Sequence, residues 1–407
     1  MKWEIAKLGD ISKNIQTGPF GSQLHQSDYS ECGIPVVMPK DLVGGKISEE
    51  SIARVDKTHV ERLCRHKIEV GDILYSRRGD VGRCAHVTKK EEGWLCGTGC
   101  LRVTIDSEKA DSRFVFFQLQ HPDTVGWVEK HAVGATMLNL NTTILSSVPI
   151  RLPALEIQKR IADILSAYDD LIENNQKQIK LLEEAAQRLY KEWFVDLRFP
   201  GHENTKIVDG VPEGWRVASI ADICDTVGGG TPSTKIQSYY EKGDILWVTP
   251  TDITRNFSLA LLDTEKKITP EGLKNSSAKM LPAETILMTS RASVGFFGMC
   301  KYEVCTNQGF ISCIPKRENL QMYLLFNLKS RVEEIRQKAG GSTYLEISKT
   351  VFRELKIILP KDEVLAEYQK NVHDIFDEIY CRTEMIKSLV DMRNRLLPKL
   401  MSGEVEV

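Results

Sequence analysis

The stretch PALEIQKRIADILSAYDDLIENNQKQIKLLEEAAQRLYKEWFVDLRFP, residues 153–200, decides the architecture of this chain. No glycine or further proline interrupts it between its end prolines, and its apolar residues recur at alternating steps of four and three. A spacing that averages about 3.5 residues is typical of a helix that packs against another helix. At 1.5 Å per residue, about forty residues form a rod of roughly 60 Å, which needs a partner. Its predicted seam residues are Ile161, Leu165, Tyr168, Ile172, Asn175, Ile179, Leu182 and Leu189.

A second candidate helix closes the sequence at residues 361–407. Its apolar residues again step by three and four, although two arginines interrupt the stripe. Either stripe alone fits ordinary helix packing, but two such helices favour pairing between them. Asn175, the polar exception in the first stripe, either fixes the register of the pair or faces solvent. The predicted seam residues of the second helix are Leu365, Tyr368, Val372, Ile375, Ile379, Ile386, Leu389 and Leu396.

Length and composition limit the class of protein. At 407 residues the chain exceeds what one core usually supports, so we expect at least two domains. It opens without a signal peptide, contains no apolar run long enough to span a bilayer, and carries ten cysteines without a CxxC pair. We therefore expect a cytoplasmic protein with reduced thiols and no metal site. The net charge of −2 disfavours a nucleic-acid binder unless contacts are confined to local patches or partners neutralise phosphates.

The sequence is an internal repeat. Residues 72–82, DILYSRRGDVG, correspond to residues 285–295, TILMTSRASVG, and both predict a buried strand that runs into an exposed basic turn. Residues 148–153, VPIRLP, correspond to residues 355–360, LKIILP. The offsets are 294 − 81 = 213 and 360 − 153 = 207, and the order of the motifs is preserved, so a duplication explains the match.

The repeat predicts an α+β fold in which two similar globular domains are separated by two long helices that form an antiparallel coiled coil. A pseudo-twofold axis would relate the two halves, because helices related by a twofold across a shared seam run antiparallel. Such an arrangement would hold the two domains a fixed distance apart. The predicted boundaries are residues 1–152 and 201–360 for the globular domains, and residues 153–200 and 361–407 for the helices.

Short motifs in a fixed order resemble one known family over essentially the whole sequence. Besides the two Ser-Arg turns, the motifs are Trp3, Trp215, GAT at 134–136, GST at 341–343, LPALEIQKRIA at 152–162 and RLLPKLMSGE at 395–404. In this order they resemble the specificity (S) subunits of type I restriction-modification enzymes. Each motif alone is weak, and the resemblance rests on their succession.

This resemblance implies two target-recognition domains, each of which reads one half of a split double-stranded DNA site. It also implies that the two helical regions set the spacing between the half-sites and dock two methyltransferase (M) subunits, which the restriction and translocation (R) subunits join. The entry to the second helix, KDEVLAEYQ at 361–369, departs from the entry to the first, so the sequence does not fix the first turn of that helix.

Catalytic motifs are absent from the sequence. An adenine methyltransferase needs a glycine-rich cofactor loop and an Asn/Asp-Pro-Pro-aromatic pocket for the flipped base; no such tetrapeptide occurs, and Gly97-Thr98-Gly99 is only a weak Gly-x-Gly. No GxxxxGKS/T loop is present to hold the phosphates of ATP. Asp252 with Glu265, Lys266 and Lys267 could form a nuclease cluster, but such spacing arises readily by chance in a chain with 27% charged residues. We predict a non-catalytic recognition subunit that binds no cofactor.

The candidate DNA contacts are polar side chains in turns that the sequence predicts to be exposed. Arginine makes bidentate contacts to guanine in the major groove, whereas asparagine and glutamine suit adenine. The alternatives for each residue are a solvated turn or a phosphate contact, which positions the protein without specifying sequence. The alternative function is a scaffold with two ligand-binding domains on a coiled-coil spacer and no DNA, which the near-neutral charge favours slightly. The candidates are Lys40, Arg77, Arg78, Arg83, Thr136, Asn139, Thr251, Ser290, Arg291, Thr306, Asn307, Gln308, Thr343 and Tyr344.

Overall fold

The chain forms two compact units in the structure, a computed structural model. Unit 1 consists of Met1–Asp170 and Leu389–Val407, and unit 2 consists of Leu171–Ser388. Each unit therefore contains one predicted globular domain together with part of each predicted long helix. The residues that the structure describes are 3–20, 22–134, 138–341 and 344–407. Among them, no helix is both long enough and apolar enough to cross a bilayer.

Both predicted long helices are present. The first is α-helical over Leu155–Tyr190 and the second over Asp362–Ser402, so they measure roughly 54 and 62 Å at 1.5 Å per residue. The first α-helix ends before the predicted limit at residue 200, and a π-helical turn, Lys191–Val195, follows it. In that turn the ring of Trp193 lies 5.7 Å from the ring of Tyr368, so aromatic packing accompanies the end of the regular helix.

Within unit 1 the two long helices run antiparallel. Ile161 and Leu165 of the first helix share a hydrophobic cluster with Leu400 of the second. One turn further along the first helix, Asp169 forms an ion pair with Arg393. The residue number in one helix therefore rises as that of its partner falls.

Within unit 2 the helices are antiparallel as well. The Oδ1 atom of Asn175 accepts a hydrogen bond from Nη1 of Arg382 at 3.2 Å, and the hydroxyl of Tyr368 lies 3.5 Å from the backbone oxygen of Ala186. Asn175 is buried, so it does not face solvent and its side chain bonds across the pair. Each predicted seam residue of the two helices is buried or half-buried.

Unit 1 is built on a four-stranded antiparallel sheet, whose central strand Ile73–Ser76 is buried throughout. Phe114 and Phe117 from a helix beside it belong to the core cluster that includes Leu101 and Val103 of the sheet. The strands of this sheet, in order, are Ser12–Thr17, Cys100–Ile105, Ile73–Ser76 and Cys84–His86. The other strands are Glu4–Lys7 with Pro149–Leu152, Ala53–Val55 with Ile34–Val37 and Leu95–Cys96, and Leu42–Val43 with Lys46–Ile47. The shorter α-helices are Lys57–Arg62, Ser112–Gln120, Pro122–His131 and Thr142–Ser146.

Unit 2 repeats this architecture, which confirms the predicted fold class and duplication. Tyr75 pairs with Leu101 in unit 1, and Met288 pairs with Ile311 at the matching place in unit 2. The strands of the four-stranded sheet, in order, are Cys224–Gly228, Phe310–Pro315, Ile286–Thr289 and Phe297–Gly298. The other strands are Arg216–Ser219 with Lys356–Leu359, Lys267–Ile268 with Ile245–Val248 and Cys305–Thr306, and Ile207–Val208 with Val211–Pro212. The shorter α-helices are Ile220–Ile223, Pro250–Thr254, Pro270–Lys274, Gln321–Ser330, Val332–Gln337 and Lys349–Arg353.

Candidate nucleic-acid interface

Four loops meet at one end of the central sheet in unit 1. The backbone N–H of Gly18 donates to the carbonyl of Cys100 at 2.9 Å, and that of Arg77 donates to the carbonyl of Gly99 at 2.8 Å. The N–H of Leu140 in turn donates to the carbonyl of Arg77 at 2.8 Å. The loop cluster of unit 1 is defined here as residues 17–20, 77–80, 97–100 and 138–140. Main-chain hydrogen bonds therefore bring together segments that lie far apart in the sequence.

Unit 2 contains an equivalent loop cluster, defined as residues 228–231, 290–292, 306–309 and 344–347. The N–H of Ser290 donates to the carbonyl of Gly309 at 2.8 Å, and the N–H of Ile347 donates to the carbonyl of Ser290 at 3.0 Å. These two bonds match those made at Arg77 in unit 1, because 290 − 77 = 213. The two units thus present the same backbone framework at this end of the sheet.

The unit 1 cluster combines a fixed arginine with an exposed one. Arg77 is half-buried: its Nε donates to the carbonyl of Leu140 at 3.1 Å, and its guanidinium lies 5.8 Å from the ring centre of Phe20. Arg78 is exposed, and its backbone forms a bridge with Asn139. Among the described residues, the buried Oδ1 of Asn139 finds no hydrogen-bond partner. This end of unit 1 therefore presents an exposed arginine beside an amide oxygen that is buried and unpaired.

The unit 2 cluster has different side chains on the same backbone framework. Arg291 occupies the place of Arg78 and forms a backbone bridge with Glu346, which stands where unit 1 has Asn139. The Arg291 Nε atom lies 3.7 Å from Oε2 of Glu346, and both side chains are exposed. Tyr344, beside this pair, is 59% exposed. The exposed Gln308 bonds to the hydroxyl of Thr231. The unit 2 cluster has one arginine and one carboxylate, whereas the unit 1 cluster has two arginines and one carboxylate, so unit 2 is the less basic of the two.

The remaining basic candidates are exposed but already have local partners. The Lys40 ammonium donates to the carbonyl of Ser51 at 3.0 Å, and Arg83 forms an ion pair with Asp80 at 2.7 Å. Exposed ion pairs of this kind contribute only about 0–1 kcal/mol. Such side chains can exchange these partners for a phosphate at little cost. Thr251 is exposed in the first turn of its helix.

The expectation that Ser290 and Thr306 lie in exposed turns is wrong. Ser290 is 3% exposed because it directly continues the buried strand Ile286–Thr289 and hydrogen-bonds through its backbone on both sides. Thr306 is 1% exposed because it is part of the strand that pairs in parallel with Ile245–Val248. Asn307 is half-buried, and its Oδ1 accepts the N–H of Gly309 at 2.8 Å. The candidates Thr136 and Thr343 lie outside the described residues.

Glycines in the first loop of each cluster allow the loops to touch. A Cβ atom on Gly18 would lie 2.0 Å from the carbonyl oxygen of Gly97, and one on Gly229 would lie 2.0 Å from that of Thr306. Both distances are far inside van der Waals contact, so the loops pack only because a side chain is absent. Gly97 belongs to the weak Gly-x-Gly of the sequence, which is therefore part of the loop packing. Sequence reasoning missed Thr98 of that segment, whose hydroxyl bonds to the carbonyl of Pro19.

The residues that could suggest catalysis have structural partners. Asp252 Oδ2 accepts the N–H of Thr249 at 2.8 Å, and its Oδ1 accepts the N–H of Glu265 at 2.8 Å. Its carboxylate thus holds two turns together. Burial raises the pKa of the Cys96 thiol, beside the loop 97–100, to about 12. A thiol with so high a pKa stays protonated at neutral pH and is a poor nucleophile or metal ligand.

A family model described as the type I restriction modification DNA specificity domain matches residues 1–184 and 212–390. The chain belongs to this family. The two matched segments coincide with the two halves of the repeat, which confirms the resemblance drawn from the motifs. Members of the specificity family are recognition components, so the chain is a non-catalytic specificity subunit.

Relatives of full length support the assignment to the specificity family. The chain is 25% identical to the type I restriction enzyme HindI specificity subunit of Haemophilus influenzae, with 99% of each chain covered. It is 24% identical to the putative MjaX specificity subunit of Methanocaldococcus jannaschii, over 100% of this chain and 94% of that protein. Among solved structures, the S subunit of a type I restriction-modification system from M. genitalium matches in fold with a TM-score of 0.63 and 17% identity, covering 98% of this chain and 96% of that one.

Proposed function

We propose that the loop clusters of units 1 and 2 are the surfaces through which this specificity subunit reads the two halves of a bipartite, asymmetric site in double-stranded DNA. The observation that carries the proposal is that one backbone framework, which occurs in both units, bears unlike side chains. Arg78 beside Asn139 in unit 1 becomes Arg291 beside Glu346 in unit 2. A shared framework with different side chains suits two half-sites of different sequence.

The chemistry of each cluster suggests what it recognises. Arg78 can donate two hydrogen bonds to a guanine. The unpaired Oδ1 of Asn139 is buried, so it could accept the amino group of an adenine only after its side chain turns outward. In unit 2, Glu346 can accept from the amino group of cytosine while Arg291 contacts guanine. Because a carboxylate repels phosphates, Glu346 favours a base contact over a backbone contact. The exposed Lys40 and the other basic side chains fit phosphate contacts.

The long helices would set the spacing between the half-sites and dock the partners. Each is longer than the 34–36 Å that separates major-groove sites one helical turn apart on B-DNA. We propose target-recognition domains over residues 1–152 and 201–360 and helical regions over 153–200 and 361–407. The helical regions would bind two methyltransferase subunits, which restriction and translocation subunits join, in the cytoplasm. The family assignment and the absence of catalytic motifs in the sequence support this division of labour.

Exchange of one domain tests the modular mechanism. Replacing residues 12–145 with the matching segment of a relative should change one half of the methylated site and leave the other half intact. The measurement is a genome-wide map of methylated adenines in a host that carries the complete system. A change in both halves would contradict the proposal.

A scaffold that binds two protein ligands and no DNA is the second candidate, and the net charge of −2 is the observation that favours it. The salt dependence of binding separates the two. If DNA is the ligand, the affinity of the assembled complex should fall steeply as salt rises, because neutralising phosphates releases counterions. DNA retention that does not change with salt, or no retention at all, would favour the scaffold.

A further inference from the structure

Glu284, His373 and Asp377 converge in unit 2. Glu284 lies in the turn before the strand Ile286–Thr289, and the other two residues lie one turn apart on the second long helix. The His373 Nε2 atom is 3.1 Å from Oε2 of Glu284, and its Nδ1 is 3.4 Å from Oδ2 of Asp377. One ligand atom from each residue lies within 4.8 Å of the other two. Ligands of a tetrahedral zinc ion lie about 3.3 Å from one another, so the side chains would rotate until one imidazole nitrogen and the two carboxylates face a common point.

The backbone at Glu284 is strained to place its carboxylate here. Its φ is +60°, in the left-handed region that side chains with a Cβ disfavour. Gly71 is the matching residue of unit 1, since 284 − 71 = 213, and has φ = +91°. Both make the same bond: the N–H of Gly71 donates to the carbonyl of Val87 at 3.0 Å, and that of Glu284 donates to Cys300 at 2.6 Å. Unit 2 thus keeps a glutamate where unit 1 uses glycine, and strain of this kind is concentrated at functional sites.

Of the other two donors, the histidine is present in unit 2 and not at the matching place in unit 1, whereas the aspartate is present in both. The residues of unit 1 that match His373 and Asp377, by the offset of 207, are Ser166 and Asp170. Unit 1 therefore has glycine, serine and aspartate where unit 2 has glutamate, histidine and aspartate. The cluster is not a requirement of the shared fold, because unit 1 folds in the same way without it.

Charge and access both suit a dication. Lys301 pairs with Oδ1 of Asp377 at 2.6 Å, which leaves Oδ2 directed towards His373. Two carboxylates against one lysine leave a net negative charge at the cluster. Glu284 and His373 also line a cleft of about 720 Å³, through which a hydrated ion can enter. A mixed set of imidazole and carboxylate donors suits zinc better than calcium or magnesium.

We propose that Glu284, His373 and Asp377 form a zinc-binding site that ties the turn before the strand Ile286–Thr289 to the second long helix. That strand leads directly into the turn at Arg291, so the ion would brace the base of the element that carries the unit 2 loop cluster. The cysteine spacings in the sequence gave no hint of this site. Only the i, i+4 spacing of His373 and Asp377 was visible, because Glu284 is far away in the chain.

Titration of the full-length chain with zinc tests the proposal. The exposed thiols of Cys32, Cys64 and Cys381 would bind zinc on their own, so all variants carry serine at these positions. In this background one zinc ion should bind per chain, and His373→Gln should weaken binding at least about tenfold, since a ligand is lost. His202→Gln is the matched control, because His202 lies 3.5 Å from a carboxylate but belongs to no such cluster within the described part of the chain. The absence of stoichiometric binding, or unchanged binding by His373→Gln, would overturn the proposal.

Glu284→Gly gives a second, independent readout. In the presence of a chelator this variant should unfold at a higher urea concentration than the parent, because glycine relieves the left-handed strain. Added zinc should raise the unfolding midpoint of the parent but leave that of Glu284→Gly unchanged. A zinc-dependent shift of equal size in both proteins would rule out Glu284 as a ligand. Neither measurement involves DNA, so the outcome does not depend on the proposed recognition function.

Discussion

Replacing Asn175 with alanine should loosen the helix pair of unit 2. Asn175 is 4% exposed; its Oδ1 accepts from Arg382 at 3.2 Å, and its Nδ2 donates to the carbonyl of Leu171 at 2.8 Å. A hydrogen bond to a charged group contributes about 1.5–3 kcal/mol. The Arg382 side chain is 27% exposed and keeps its ion pair with Glu378, so water and that partner recover part of the loss. We expect a net destabilisation of about 1–2 kcal/mol.

Hydrogen exchange measured by mass spectrometry is the suitable assay, because it reports the opening of one segment without assuming that the whole chain unfolds in one step. Amides around Asn175 should exchange faster in Asn175→Ala. The control is Asn174→Ala, one residue earlier on the same helix and exposed. A double-mutant cycle with Arg382→Ala should give a coupling energy of about 1 kcal/mol. Equal protection in the two asparagine variants, or strict additivity in the cycle, would refute the account of a bond across the pair.

Three further predictions concern the recognition surfaces and the repeat. Arg78→Ala and Arg291→Ala should each relax the sequence specificity for one half of the DNA site and weaken DNA binding by the assembled complex by about 1–3 kcal/mol. The measurement is binding to DNA with substitutions in each half-site, and a loss of specificity for the same half in both variants would contradict the model. Gly18→Ala should lower stability in a urea titration by about 1–3 kcal/mol, because its Cβ would clash with a carbonyl oxygen 2.0 Å away. Gly126→Ala, in a helix, should be neutral or stabilising, because the Cβ would meet no described atom within 4 Å other than those of its own helix and chain neighbours. Residues 1–200 alone should dimerise and bind a palindrome of the first half-site, and a strictly monomeric fragment in analytical ultracentrifugation would count against helix pairing.

The features that the sequence predicted well are those encoded by local periodicity. The stripe through Ile161, Leu165 and Ile172 identified the first long helix, because a long run of heptad-spaced apolar residues without proline or glycine rarely forms another secondary structure. The paired segments at 72–82 and 285–295 identified the duplication, because a repeat is visible without knowledge of the fold. The end of the first helix was placed too late because no proline or glycine precedes residue 200 to mark it.

The features that the sequence did not predict depend on contacts between distant segments. Thr306 was assigned to a turn, yet it pairs in a parallel strand with a segment more than fifty residues earlier. Hydrophobic periodicity and turn residues do not reveal which distant strands pair with one another. The hydrogen bond from Arg77 to Gly99 and the contact between Glu284 and His373 likewise join segments that lie apart in the sequence. Sequence reasoning therefore found the elements that carry the candidate site but not which side chains they expose.

The support of each loop cluster by main-chain hydrogen bonds has an evolutionary consequence. The carbonyl of Gly99 accepts a hydrogen bond from the amide of Arg77, and that of Gly309 accepts one from the amide of Ser290. Because these bonds join main-chain atoms, they do not depend on the identity of the side chains. Neighbouring positions such as Arg78 and Arg291 can consequently mutate without loss of folding. If these positions contact DNA as proposed, a few substitutions on an unchanged backbone suffice to alter the target sequence.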